Sequence, residues 1–293
     1  MSSKTRRFRL LKIILIVVLA AVIGVYLLMP VGMGFLTTLR SARQVGTTPE
    51  GFTEVTLQTA DAVALAAWYL PAQNGASIIL LHGAGGSRES VRSLAQMLAK
   101  HGYGVLAFDM RGHALSGGDG VNAYNWGGTE DVGAAVDFLQ KQEGTKAIGG
   151  LGVSLGGEVL LGAASQYPQM KAVISDGATY RTLGDYLALP SRTPIVRSFT
   201  TRLMFGAAQL FGGVKPPAKL IDSIAQAREA SFLFIAAGNV EKESKYGALF
   251  EQAAGGRSQL WVADGVGHTG AYAKDPGEYE RRVTTFFDEA LLQ

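Results

Sequence analysis

Residues Ala147–Ser165 read AIGGLGVSLGGEVLLGAAS, and one serine, Ser154, stands between Gly152 and Gly156 with Gly157 following. With 38 glycines in 293 residues, a Gly-x-Ser-x-Gly match arises about 0.3 times by chance, so the match alone is weak. Its surroundings strengthen it. The apolar run Ala147–Val153 predicts a buried strand, and Leu155–Gln166 predicts a helix. A strand that turns sharply into a helix lifts the serine hydroxyl above a sheet, and the turn leaves no room for side chains at the flanking positions. Ser154 is therefore the candidate nucleophile, and Gly152, Gly156 and Gly157 are the steric condition for it.

Outward from this turn, strand and helix alternate. Phe52–Thr59 and Ala62–Tyr69 predict a hairpin around Asp61. Strands are expected at Ser77–Leu81, Val105–Phe108, Ala172–Ser175, Phe232–Ala236 and Gln259–Val262. Helices are expected at Glu89–Lys100, Glu130–Gln140, Tyr246–Ala254 and Tyr279–Leu292. The strands are apolar on both faces, which marks a mostly parallel sheet covered by helices on both sides, an α/β architecture. The rhythm breaks between Ala178 and Ala227, where Pro190, Pro194, Pro216 and Pro217 flank the apolar stretch IVRSFTTRLMFGAAQLF. This insertion either packs on the sheet edge as ordinary core or forms a lid over an apolar acyl pocket, with further apolar surface turned to a bilayer.

A serine hydroxyl needs a base. The strand-turn-helix template requires the chain order serine, acid, histidine. Of His82, His101, His113 and His268, only His268 follows Ser154, in the loop DGVGHTG before the last helix. His101 reads as a helix C-terminal residue, and His82 and His113 as structural or rim residues. For the acid, loop order favours Glu241, at the carboxyl end of the Phe232–Ala236 strand. Glu243, two residues on, could face the same way. Asp176 at the end of the preceding strand is the alternative, and Asp264 more naturally starts a turn with Gly265. A tetrahedral intermediate also needs amide donors. Leu155 N–H at a helix start is one, and Ala84 N–H in the loop HGAGGS after the Ser77–Leu81 strand is the other. Read as a phosphate loop, HGAGGS lacks the lysine of a P-loop and the Gly-x-Gly-x-x-Gly spacing.

The N-terminus carries a different signal. Lys4, Arg6, Arg7, Arg9 and Lys12 precede Ile13–Leu39, which holds no charged residue. The net charge is +3, so these five cations leave the remainder acidic on balance, and the basic character says nothing for nucleic acid. About 20 apolar residues cross a bilayer. The expected layout is a basic cytoplasmic tail (1–12), a transmembrane anchor (13–36), a linker (37–50) and a catalytic domain (51–293) outside the membrane. The alternative is secretion after signal cleavage, which a shorter apolar core and a small-residue cleavage site would favour. The chain has no cysteine, which excludes disulfides, thiolate metal sites and a cysteine nucleophile.

With these residues placed, Phe52–Leu292 resembles the α/β-hydrolase superfamily through LLHGAGGS, GYGVLAFDMRGHALSGG, GTEDVGAAVDFL, GVSLGG and GVGHTG. The stretch Asp109-Met110-Arg111-Gly112-His113-Ala114-Leu115-Ser116 looks like the D-x-R-G-H-G-x-S turn of the serine aminopeptidase-like and membrane-anchored branches, with Ala114 in place of the usual glycine. The resemblance implies the α/β-hydrolase fold with a lid insertion, a Ser154, His268 and Glu241 triad, and no metal or organic cofactor. It places Arg111 and Asp131 in the scaffold around the site. It does not name the substrate: an acyl ester, lipid, thioester or peptide all fit. Peptidase activity, acyl transfer to an alcohol, and an acyl-binding protein without catalysis are the competing functions.

The protein should fractionate with membranes and resist carbonate extraction. A soluble product that begins at roughly residue 35–45 would instead show a cleaved signal.

Overall fold

The computed structural model describes residues 3–189 and 194–292. Pro190, one of the prolines of the insertion, lies outside them, as do Met1, Ser2 and Gln293 at the ends of the expected layout. The chain opens with helix α1 (Ser3–Ile23), a π-helical segment (Gly24–Leu28) and α2 (Met29–Leu36). Arg6–Leu36 together is one helix long and apolar enough to cross a membrane, and almost none of it is buried in the protein. The strands and helices that follow are β1 (Thr53–Gln58), β2 (Ala64–Leu70), β3 (Ala76–Leu81), α3 (Arg92–Lys100), β4 (Gly104–Phe108), α4 (Gly128–Leu139), β5 (Ala147–Val153), α5 (Leu155–Ala163) and β6 (Met170–Asp176). The insertion supplies α6 (Leu183–Ala188), α7 (Pro194–Gly212) and α8 (Leu220–Gln226). The chain ends with β7 (Ser231–Ala237), α9 (Glu241–Ala254), β8 (Ser258–Ala263), α10 (Ala271–Lys274) and α11 (Pro276–Leu291).

The eight strands form one sheet in the order β1-β2-β4-β3-β5-β6-β7-β8. β1 and β2 are an antiparallel hairpin and β2 runs antiparallel to β4, while every other pairing is parallel. All residues of β3 and β4 are buried. That is why these strands read as continuous apolar runs rather than as alternating patterns. One core lies on the side of α4, α5, α8 and α9, and the other on the side of α3, α10 and α11. Parallel strands with right-handed crossovers bring their carboxyl ends, and the loops that leave them, to one edge. The loops after β3, β5, β6, β7 and β8 therefore meet there.

The segment expected as a linker is laid along the domain. Ser41 pairs with His113 as an isolated bridge. Arg40 donates to the carbonyls of Ser116 and Gly118, each at 2.6 Å. Arg43 and Ser41 both donate to Gly85 O, at 2.7 and 3.1 Å. The insertion does not simply collapse on the sheet edge either. Helix α7 packs along α2, where a Cβ on Gly34 would collide with the Met204 carbonyl and lie 2.8 Å from Ala207 Cβ. Phe35 meets Phe211 edge-on at 5.3 Å. Phe205 and Ala208 are buried with Val121 and Trp126, whereas Ile195, Val196, Phe199 and Leu210 are exposed.

At the turn from β5 to α5 backbone packs directly against backbone. A Cβ on Gly152 would overlap backbone atoms of Gly156 and Gly157, and one on Gly156 would lie 2.5 Å from Leu81 O. Backbone cannot swing aside as a flexible side chain can. Gly152→Ala should therefore cost toward the upper end of the roughly 1–3 kcal/mol usual for overpacking. That corresponds to a fall in Tm of roughly 5–10 °C, measured by thermal unfolding in detergent.

Candidate active site

Ser154 caps α5 in a conformation that L-residues rarely adopt, with φ +52° and ψ −118°. Its N–H donates to Asp176 O at 2.6 Å, and its carbonyl accepts from Glu158 N at 3.1 Å. The backbone is thus held from both sides, which is what lets a strained turn persist. The hydroxyl makes no helix cap. It reaches His268 instead, with Oγ 2.9 Å from Nε2.

His268 stands in the loop between β8 and α10 and is half-exposed. Its Nδ1 lies 2.6 Å from Glu243 Oε1. A carboxylate only accepts, so the ring proton sits on Nδ1, and Nε2 is left to accept from the serine. The hydrogen bond to Glu243 raises the His268 pKa above the ordinary 6.5, against the opposing effect of partial burial. Glu243 itself is 1% exposed. Its other oxygen, Oε2, accepts from Ala237 N at 2.8 Å, so both oxygens have fixed partners.

Glu241 was expected at the imidazole and is not there. The turn Gly238-Asn239-Val240 closes with Val240 N donating to Ala237 O at 3.0 Å, and Glu241 already begins α9. Two residues along a helix turn the side chain through about 200°, to the opposite face. Glu241 faces solvent, paired with Lys245 at 2.6 Å, and Glu243 faces the site. The expectation that the two could face the same way holds in extended chain and fails in a helix. The acidic first turn, where carboxylates complement the helix dipole, was the signal that α9 starts at Glu241 and that the two glutamates therefore face opposite ways.

Asp176, the alternative acid, is also near, but it is not the partner of His268. It is 3% exposed at the end of β6 and accepts from Tyr279 OH at 3.1 Å. Burial, with the neighbouring Glu243 charge adding to it, pushes its pKa up to about 7. Asp264 backs away: its carbonyl accepts from Lys274 Nζ at 2.5 Å, in the turn with Gly265.

The expected amide donors lie where a loop and a helix start meet. Leu155 is the first residue of α5, whose N–H has no carbonyl four residues back within the helix. The loop after β3 presses on the serine, since a Cβ on Gly83 would lie 3.4 Å from Ser154 Cβ. Ala84, next in the chain, is exposed. This loop is set by two buried histidines. His82 Nδ1 donates to Gly83 O at 2.8 Å, and its Nε2 accepts from Met110 N at 3.1 Å. His113 Nδ1 donates to Arg111 O, and its Nε2 accepts from Gly85 N at 3.3 Å. Burial lowers the His82 pKa to about 3, so it stays neutral. His101 sits at the end of α3 with Glu280 at 2.8 Å, remote from this group. Arg111 bridges buried Asp131 and exposed Asp61, each at 2.7 Å, and Arg88 pairs with buried Asp109 at 2.6 Å. These pairs brace the loops after β3 and β4. Among the described residues no cluster of histidine and carboxylate ligands is arranged for a metal ion.

A family model described as alpha/beta hydrolase fold matches residues 76–260. An uncharacterized protein of Mycobacterium tuberculosis is 32% identical over 126 residues, 41% of this chain and 44% of that protein. The matched part thus spans less than half the length of this relative. An esterase of Pyrococcus furiosus superposes with a TM-score of 0.67 at 21% identity, over 87% of this chain and 98% of that one. Dienelactone hydrolase from Anabaena variabilis does so with a TM-score of 0.58 at 18% identity, over 83% and 100%. At these identities the likeness to the solved structures is one of fold.

The raised pKa of Asp176 has a sign that can be tested. An unfolded aspartate ionises near 3.8, and the folded one near 7. Folding is favoured by this group below the lower value, and that contribution is lost as pH rises to the upper one. Asp176→Asn keeps an acceptor for Tyr279 and removes the ionisation. The Tm of the variant relative to the original chain should rise steadily between pH 4 and 7 and then level off. A constant difference across that range would assign Asp176 an ordinary pKa.

Proposed function

The chain belongs to the alpha/beta hydrolase fold family, and on that footing we propose that it is a serine hydrolase that cleaves an acyl ester through an acyl-enzyme. The observation that carries this reading is the continuous relay Ser154 Oγ, His268 Nε2, His268 Nδ1, Glu243 Oε1, with links of 2.9 and 2.6 Å. Ser154 attacks the acyl carbonyl while His268 takes the hydroxyl proton. The amides of Ala84 and Leu155 hold the oxyanion. His268 then returns the proton to the departing alcohol, and water releases the acid by the same steps with its own proton passing through His268. Glu243 keeps the imidazole in the tautomer that accepts at Nε2 and stabilises the imidazolium that forms. No step needs a metal or organic cofactor. The Arg6–Leu36 helix, with its basic N-terminal flank, would hold the domain on the outer face of a membrane.

Ser154→Ala and His268→Ala should each lower kcat/KM for a short ester by roughly 10^4 or more with Tm little changed. Glu243→Gln should cost about 10^3–10^4, since it disturbs the tautomer. Glu241→Gln should stay within about twofold, because exposed ion pairs contribute little. His268 acts as a base only when neutral, so activity should fall as pH drops through a value above 6.5, and any residual activity of Glu243→Gln should show that limb displaced to lower pH. A fluorophosphonate that fails to label Ser154 in folded protein would reject the hydrolase reading in favour of an acyl-binding protein.

A further inference from the structure

A cavity of about 420 Å³ lies between the membrane helix and the insertion. One wall is the membrane helix itself, with Tyr26, Met29 and Met33. The other comes from the domain, with Tyr180, Tyr186 and Met204. Resting on the serine hydrolase reading above, we propose that this cavity receives the acyl chain of a bilayer lipid, so that the membrane helix is part of the substrate site and not only a tether.

Three independent features support this. First, methionine, valine and tyrosine side chains dominate the lining, with Thr200 and Thr201 at one side, which suits a flexible hydrocarbon chain. Second, the cavity wall and the candidate active site are neighbours along a short stretch of backbone. A Cβ on Gly177 would lie 3.1 Å from His268 Cε1, and Tyr180 lines the cavity three residues later, a reach of at most about 10 Å. Glu158, on the helix that Ser154 caps, fixes this stretch by accepting from Thr179 N and Tyr180 N at 2.8 and 3.0 Å. Third, the membrane helix is placed rigidly against the domain. Gly34 lets α2 approach α7 closely. Thr37 O accepts from Ala123 N at 2.9 Å, and Thr38 O from Asn122 Nδ2 at 3.1 Å. The π-helical turn Gly24–Leu28 carries Val25 and Tyr26 to the cavity, and such turns alter side-chain direction at functional sites.

The occupant follows from position. The cavity is bounded by the last turns of a membrane-length helix, and α7 beside it exposes Ile195 and Phe199. Its mouth therefore stands at the level of one bilayer leaflet. A lipid acyl chain can enter from there without crossing water, while its ester linkage remains at the polar interface where the domain begins.

The test uses the full-length chain in vesicles and a series of p-nitrophenyl esters from acetyl to dodecanoyl. Burial of each methylene can raise kcat/KM by up to about fourfold, so the profile should climb with chain length until the cavity is full. Met33→Trp fills the cavity from the membrane-helix side and should lower the dodecanoyl-to-acetyl ratio of kcat/KM tenfold or more. Leu28→Trp, on the exposed face of the same helix, should leave that ratio unchanged. A flat profile in the original chain, or a ratio unmoved by Met33→Trp, would overturn the proposal. A second arm does not depend on turnover: phosphatidylcholine with a diazirine in its acyl chain, photolysed in the same vesicles, should label peptides containing residues 25–33 and 196–204, and Met33→Trp should reduce that labelling. Labelling that is absent or unaffected would overturn the cavity assignment even if esters are cleaved. Length dependence for soluble esters without photolipid labelling would overturn the bilayer as the source. If Ser154 resists fluorophosphonate while the cavity is labelled, the hydrolase reading fails and lipid binding stands.

Discussion

The backbone at Ser154 is held at φ +52° by the contact of α5 with the ends of β3 and β5. At Gly152 and Gly156 there is no space for a β-carbon, because backbone lies against backbone. That close approach puts the first turn of α5 directly beyond the strand ends and aims the serine side chain over the sheet edge. The hydrogen bonds from Ser154 N to Asp176 O and from Glu158 N to Ser154 O make the strained turn the way for β5, β6 and α5 all to keep their partners. The remaining parts of the site are arranged around this fixed point. Gly83 and Gly177 also stand where a β-carbon would touch Ser154 and His268 respectively.

Electrostatics stabilises the loops that deliver the other groups. Glu243 is almost wholly buried, which would be costly for an unpartnered carboxylate. One oxygen is held by Ala237 N and the other by His268 Nδ1, so the carboxylate links the end of β7 to the histidine loop. Asn239 N donates to Val266 O at 3.0 Å and ties the same two loops through backbone. On the other side, His82 and His113 stack edge-on at 5.1 Å, and each carries hydrogen bonds between the loops after β3 and β4. These two histidines serve as neutral, rigid connectors, a use quite different from that of His268.

The chain between the apolar N-terminal helix and the first strand continues this bracing. Ser41 and Arg43 donate to Gly85 O, in the loop that carries exposed Ala84. The apolar N-terminal helix is thus joined mechanically to the loop beside Ser154, and through Gly34 to α7. Displacement of that helix would be felt at both places. A flexible linker would have left the domain free to turn relative to this helix, and the hydrogen bonds from Arg40 and Asn122 oppose such rotation.

The sequence by itself was enough for the alternation of strands and helices, the serine turn, the position of His268 and the membrane-length apolar run. Each of these depends on local pattern: a period of residues, a pair of glycines, or an unbroken stretch without charge. The strand Ala147–Val153 was legible to the residue because burial on both faces excludes every polar side chain from it. The identity of the carboxylate was not legible. Whether Glu241 or Glu243 meets His268 depends on where α9 begins, and an ambiguity of about two residues, half a turn, in a helix start reverses which side faces inward. The packing of α7 on α2 was equally hidden. Gly34, Ala207 and Ala208 are small residues in apolar stretches, and nothing local reveals that they lie against each other across more than 170 positions of chain. Tertiary structure decided both, because a close contact between distant segments is set by the shape of the two surfaces and leaves no periodic mark in either.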